Sequence, residues 1–193
     1  WGGYWGAVGV LPSVTTADPD VRLHDDPVTA MNGFDSYLEN SSWAAGYSDF
    51  VLVNGNNGGG STGTRQAGVV NWNGEMNSFA IEQSNRVAFL SAPDTVPTQV
   101  LGSYDVLNVY ELWVGADELT SYTFELDQTA GTANLGFALY GPAGSSYAKS
   151  DYTWYRDIAG DGADETFTYE ITESGYYGLV VWKRGYPDYG KSS

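Results

Sequence analysis

The chain has 193 residues, 24 acidic and 8 basic side chains, a net charge of −16 and no cysteine. Disulfides and thiolate metal sites are therefore excluded. The charge repels phosphate backbones and anionic bilayers, so neither nucleic acid nor membrane insertion is expected.

The hydrophobic fraction of 42% can fill one large β-sandwich or two small modules. Apolar residues come in runs too short to cross a bilayer. Much Gly, Tyr, Ser, Thr and Asn with little Lys predicts a prokaryotic exported protein, extracellular or on the cell surface. The start at Trp1, without a charged and apolar leader, agrees with a processed or excerpted chain.

Residues 1–20 form an apolar, aromatic and glycine-rich stretch followed by a linker. Extended, it places Tyr4, Val8 and Val10 on one face and Trp1, Trp5, Ala7 and Leu11 on the other. Two readings stand: a first strand of the chain's own sandwich, or an arm that adds to a neighbouring subunit through Tyr4, Trp5, Val8 and Val10.

Residues 21–100 read as a first β module. Val21–His24 is a short strand, and Phe34–Leu38 is compatible with a turn of helix. Asp49–Asn54 is a strand, Gly55–Thr64 a glycine-rich loop, and Gln66–Trp72 the returning strand. Asn73-Gly74 is a hairpin signal. Separate strands are expected at Ser78–Glu82 and Arg86–Leu90, with Pro93–Pro97 as a linker.

Residues 101–193 read as a second module, with strands at 107–114, 120–126, 134–140, 165–171 and 175–183 and another within 147–155. Alternation assigns inward faces to Tyr122, Phe124 and Leu126, to Leu135, Phe137 and Leu139, to Phe167, Tyr169 and Ile171, and to Tyr177, Leu179 and Val181. No tandem repeat of fixed period is visible. The expected fold is all-β: an antiparallel β-sandwich, jelly-roll-like, in two packed modules.

Thr120-Ser-Tyr-Thr-Phe-Glu-Leu, then Asn134-Leu-Gly-Phe-Ala-Leu-Tyr-Gly-Pro, then Phe167-Thr-Tyr-Glu-Ile with Gly175-Tyr-Tyr-Gly-Leu-Val-Val-Trp, carry a family likeness. In this order residues 105–185 resemble the bacterial pre-peptidase C-terminal domain. The resemblance implies a non-catalytic accessory module used in surface attachment, secretion or polymer binding. Asn134 and Gly136 stand where that family often has aspartates, so a calcium role is not carried over to them. The family also closes with one more strand after the loop that here is 185–193. In this chain that strand is missing or comes from elsewhere.

Chemistry is sparse. His24, beside Asp25 and Asp26, is the single histidine and reads as a surface residue. No nucleophile elbow, zinc spacing or phosphate-binding loop is present, so the chain is not expected to be an enzyme. Asp157, Asp161, Asp164 and Glu165, in a Gly-rich acidic loop, are candidate calcium ligands, because hard cations take loop carboxylates; a solvated turn is the other reading. Asp18, Asp20, Asp25 and Asp26 form a second acidic cluster. Trp72 and Trp154, near turns, are candidate glycan-stacking platforms, whereas Trp113 and Trp182 read as structural. Asn40, in Asn40-Ser41-Ser42, is a candidate glycan acceptor.

Two functions fit. One is a structural or adhesive subunit that self-associates into an open extracellular assembly by strand addition. The other is a glycan- or surface-binding accessory module of a secreted enzyme, with polysaccharide as partner.

Overall fold

The computed structural model describes residues 3–24, 37–57, 65–72, 78–91, 96, 99–157 and 160–192. The Asn73-Gly74 hairpin, most of the Gly55–Thr64 loop, Asp25, Asp26, Phe34 and much of the Pro93–Pro97 linker lie outside them.

Among the described residues the fold is all-β, without an α-helix. The strands are β1 (Trp5–Pro12), β2 (Pro19–His24), β3 (Glu39–Ser41), β4 (Asp49–Asn54), β5 (Gln66–Asn71), β6 (Phe79–Leu90) and β7 (Leu107–Val114). Then follow β8 (Ser121–Leu126), β9 (Leu135–Tyr140), β10 (Ser146–Ala148), β11 (Trp154–Arg156), β12 (Glu165–Glu170) and β13 (Gly175–Lys183). They form an eight-stranded sheet in the order β10-β4-β1-β6-β7-β13-β9-β11, a three-stranded sheet β3-β2-β5 and a pair β12-β8. Every pairing is antiparallel except that of β6 with β7, which is parallel.

Strand alternation builds three apolar cores. Val8 and Val10 of β1 meet Val51, Val53, Val21 and Leu23 in the first module. The opposite face of β1, with Trp5, Ala7 and Leu11, joins Phe50 and Leu52 and packs on Leu107, Val109, Ala138, Tyr140, Val180 and Trp182. The eight-stranded sheet therefore curls until its two halves lie face to face. The third core lies mostly within residues 101–181, with Ala88, Leu90 and Val96 packed against it, and all twelve residues assigned inward by alternation either belong to it or pack against it. Each fully buried Val or Leu contributes about 2 kcal/mol, so these faces fix the register of their strands.

Residues 5–12 are an interior strand and not an arm. β1 is paired along one edge with β4 and along the other with β6, and Trp5, Val8 and Val10 are buried. With both edges occupied by its own chain, β1 has no backbone left to offer a neighbour, which corrects the assembly-arm reading. Its first amide is tied across the molecule: Trp5 N donates to Glu111 Oε2 at 3.0 Å. Glu111 also accepts from Asn56 Nδ2 at 2.9 Å and Arg86 Nη1 at 2.8 Å, so one buried carboxylate joins β1, β6 and β7.

Residues 78–90, expected as two strands, form one. No breaker separates them, and β6 changes partner along its length. Residues 79–85 pair with β1, and 86–90 pair with β7 after a register irregularity between Arg86 and Ala88. The stretch 147–155, expected as one strand, gives two short ones on different partners, β10 on β4 and β11 on β9.

The two halves share one connectivity. β1 pairs with β4, β2 with β3 and β2 with β5; in the second half β8 pairs with β12, β9 with β11 and β9 with β13. Gly68-Val69-Val70-Asn71-Trp72 and Gly178-Leu179-Val180-Val181-Trp182 end the matching strands β5 and β13. Three pairings have no counterpart in the other half among the described residues: β4 with β10, β13 with β7 and β1 with β6. β1 carries β6 on its second edge, whereas β8 carries no strand there among the described residues.

Candidate functional site

The half-paired strand β8 is the site to which the duplicated fold points. Its β-branched and aromatic residues favour a pleated strand. Tyr122, Phe124 and Leu126 turn inward, with Phe124 stacked on Phe167 at 4.9 Å and Phe167 4.7 Å from Phe137. Ser121, Thr123 and Glu125 turn outward, and the Thr123 hydroxyl meets that of Thr168 at 3.0 Å. The entry is set by a turn in which Glu118 N donates to Gly115 O and Tyr122 Oη donates to Glu118 O. The exit is fixed by Asp164, whose carboxylate accepts from Gln128 N at 2.8 Å. Gly131, at φ 85°, then makes a left-handed bend that suits glycine.

Backbone phase decides which groups of β8 are free. Ile171 N donates to Thr120 O, in register with the β8–β12 pairing. Antiparallel ladders alternate, so even positions from 120 to 126 bond to β12 and the N–H and C=O groups of 121, 123 and 125 point the other way. The same phase holds in β1. Gly55 N donates to Tyr4 O on the β4 side, and Ser13 N donates to Ser78 O on the β6 side. In β1 the odd positions are answered by β6. In β8 no described residue answers them. The flanks are acidic: neither 115–148 nor 157–182 contains Lys or Arg, while Glu118, Glu125, Asp127 and Glu170 lie exposed on or beside the pair.

The four candidate calcium ligands do not converge. Asp157 faces Arg184 at 3.5 Å, Asp161 faces Lys191 at 2.9 Å, Asp164 holds Gln128 N, and Glu165 faces Arg156 at 3.6 Å. The Lys191 ammonium sits between Asp161 and buried Asp188, an internal cation within the acidic loop region. Burial pushes the Asp157 and Asp188 carboxyls up, against the pull of Arg184 and Lys191 respectively. No group of three or more His, Cys, Asp or Glu suited to a metal occurs among the described residues.

The aromatic candidates separate. Trp72 is 59% exposed, its indole N–H is held by Asp20, and the Arg22 guanidinium lies 5.4 Å from its ring. Trp154 and Tyr155 are also exposed, with Tyr155 4.3 Å from Tyr152. Trp182 is core, as expected. Trp113 is not: it is exposed, 4.6 Å from Tyr176, near the end of β7 on the face it shares with buried Leu107, Val109 and Glu111. Asn40 lies in β3, its carboxamide oxygen accepting from Arg22 Nε at 3.3 Å. Tyr4 is half-buried with Arg86 5.7 Å from its ring. His24, expected on the surface, is buried in β2.

Two features escaped the sequence reading. The place of the open edge, at β8, is one: the resemblance implied an absent closing strand, but alternation reveals faces and not which strand lacks a partner. The other is Lys149, 2% exposed, whose Nζ donates to Ser48 O at 2.5 Å and lies 4.1 Å from the Trp43 ring. Burial lowers its pKa to about 8 and raises that of neighbouring Asp49 to about 6.

No family model matches the chain, and no curated protein matches it.

Proposed function

We propose that this chain is a non-catalytic structural or adhesive subunit of an extracellular assembly, joined to its neighbours by an added β-strand. The observation that carries the reading is the unanswered edge of β8 in a fold whose other half completes the same strand with β6. An open edge beside an apolar core is a liability in an isolated chain and a ready template for a partner strand. The resemblance of residues 105–185 to pre-peptidase C-terminal domains supports an exported accessory role. A sequence without nucleophile elbow or zinc spacing agrees with it. A head-to-tail contact of this kind builds an open assembly unless it closes into a ring.

Light scattering and negative-stain imaging of the natively purified protein, in calcium and then in chelator, test this. Particles of many subunits that persist in chelator are expected. A single species near 20.8 kDa overturns the reading. Collapse in chelator assigns the contacts to calcium between acidic surfaces and removes strand addition.

A second reading is a glycan-binding module. Trp72 favours it, being exposed yet held in one orientation by Asp20 and Arg22. Aromatic faces held in this way suit stacking on sugar rings.

A further inference from the structure

We infer that the strand accepted by β8 is a basic one: an extended polypeptide segment about seven residues long, antiparallel to β8, with aliphatic residues inward and Lys or Arg outward. This inference rests on the assembly reading and names the partner's chemistry.

The pairing of β1 with β6 is the template. Seven residues of β6, Phe79 to Asn85, lie antiparallel on residues 6–12 of β1. They bond to the odd positions, which β4 leaves free. In β8 the corresponding groups are the N–H and C=O of Ser121, Thr123 and Glu125, so a strand in the β6 position meets them in the same phase.

Side-chain chemistry then selects the donor. Residues directly opposite one another in an antiparallel pair share a face. Positions opposite Tyr122, Phe124 and Leu126 border the second core, where Tyr122 and Leu126 are only partly buried, so aliphatic side chains there extend that core. Positions opposite Ser121, Thr123 and Glu125 project beside Glu125, Glu170 and Asp127, on strands that themselves carry no basic residue. Lys or Arg there is favoured, and Glu or Asp repelled. The same charge argues against a second β8 as donor, since two such edges bring two acidic surfaces together.

The probe is a capped peptide, acetyl-Lys-Val-Lys-Ile-Lys-Val-Lys-amide, with a Glu-for-Lys version as control. Hydrogen exchange of the whole chain reads the edge, and fluorescence anisotropy reads affinity at low salt. In the free protein the amides of Ser121, Thr123 and Glu125 exchange fast while those of 122, 124 and 126 are protected. The Lys peptide slows the three fast amides and binds about tenfold more tightly than the Glu peptide, from its charge pairing with Glu125 and Asp127 and its nearness to Glu170. Glu125→Lys, at an exposed position, narrows that preference. Thr123→Pro keeps the β12 pairing, because its N–H faces the open edge, and abolishes binding.

The inference is overturned by fast amides already protected in dilute free protein, or by peptide binding without protection at 121–125. Equal affinity for the two peptides also overturns it. So does protection that rises with protein concentration alone, which makes a second copy the occupant. Peptide binding by a protein that stays monomeric when natively purified defeats the assembly reading and leaves this one standing. Native assembly without peptide binding does the reverse.

Discussion

Trp72 and Trp182 occupy matching places in the two modules: each stands four residues after a glycine in the strand that pairs with the module's central hairpin partner, β2 or β9. Each turns away from its own module's core, since Val69 and Leu179 turn inward. Trp72 is 59% exposed and Trp182 only 3%. The difference is what covers them. Trp182 meets Phe50 at 5.3 Å, whereas Trp72 has Asp20 at its indole N–H, the Arg22 guanidinium 5.4 Å over its ring and solvent on the rest. Trp182→Ala is therefore expected to cost about 3–5 kcal/mol, and Trp72→Ala less than about 1 kcal/mol. Urea unfolding of the two variants checks this. Under the glycan-binding reading Trp72→Ala also weakens retention on a polysaccharide affinity gel at unchanged stability. Unchanged retention removes Trp72 from that reading.

The burial of β1 predicts the outcome of deleting residues 1–12. An arm is lost without harm to the fold. An interior strand leaves β4 and β6 without their shared partner and strips Trp5, Val8, Val10 and Leu11 from two cores. The truncated chain is expected to lose its near-ultraviolet circular dichroism and its cooperative unfolding. A truncated chain that melts like the full one would restore the arm.

A tighter test of the same packing uses Gly178. A Cβ there falls 2.5 Å from Trp5 Cε3, inside contact distance of a rigid ring. Gly178→Ala is expected to destabilise by about 1–3 kcal/mol. In the Trp5→Ala background the clash is gone, so the two changes are not additive. Additive costs in a double-mutant cycle contradict the contact.

Much of the second module was legible because its strands are half-buried and alternate cleanly. Tyr122 to Leu126 and Tyr177 to Val181 announce both strand and face. In the first half Asp49–Asn54 was legible as a strand with its observed bounds, but the change of partner within β6 leaves no local mark. The duplication was hidden because its echo is confined to short segments such as Gly68–Trp72 and Gly178–Trp182, with loops of different length between them. Of the candidate site, the acidic flank was visible as composition. The place of the open edge was not, because hydrogen-bond phase depends on a partner far away in sequence. Likewise the loop Asp157–Glu165 looks like a cation site until Arg156, Arg184 and Lys191 arrive beside it.

Glu111 is the polar link between the modules. It is buried, and its two oxygens accept from Trp5 N, Asn56 Nδ2 and Arg86 Nη1. Glu111→Ala leaves three donors without an acceptor and is expected to cost about 3–5 kcal/mol, the range for breaking one side of a buried pair. Glu111→Gln keeps an oxygen for one or two donors and is expected to cost less. Guanidinium unfolding of both variants gives the order, and equal losses show that charge rather than hydrogen bonding sets the cost.

Asp49 and Lys149 give stability a pH dependence whose sign can be worked out. Burial raises the Asp49 carboxyl to about 6, while the Ser41 hydroxyl, the Lys149 ammonium and Trp43 N–H pull it down. Unfolded, it titrates near 4. Between these values the folded state holds a proton that the unfolded state has released. The contribution of Asp49 is therefore fully present below about pH 4 and is lost as pH rises through 6, at up to about 1.4 kcal/mol per pH unit. Lys149 runs the other way. Burial lowers it to about 8 from 10.5, so the unfolded state binds the extra proton between those values and stability recovers as pH rises through that window. Together the two groups place a shallow minimum between pH 6 and 8. Asp49→Asn is expected to flatten the acid limb and leave the alkaline limb in place; Lys149→Met does the opposite. Urea unfolding at pH 4.5, 7 and 9.5 measures both limbs. If the wild-type and Asp49→Asn chains differ by the same free energy at pH 4.5 and 7, Asp49 is not the group that titrates.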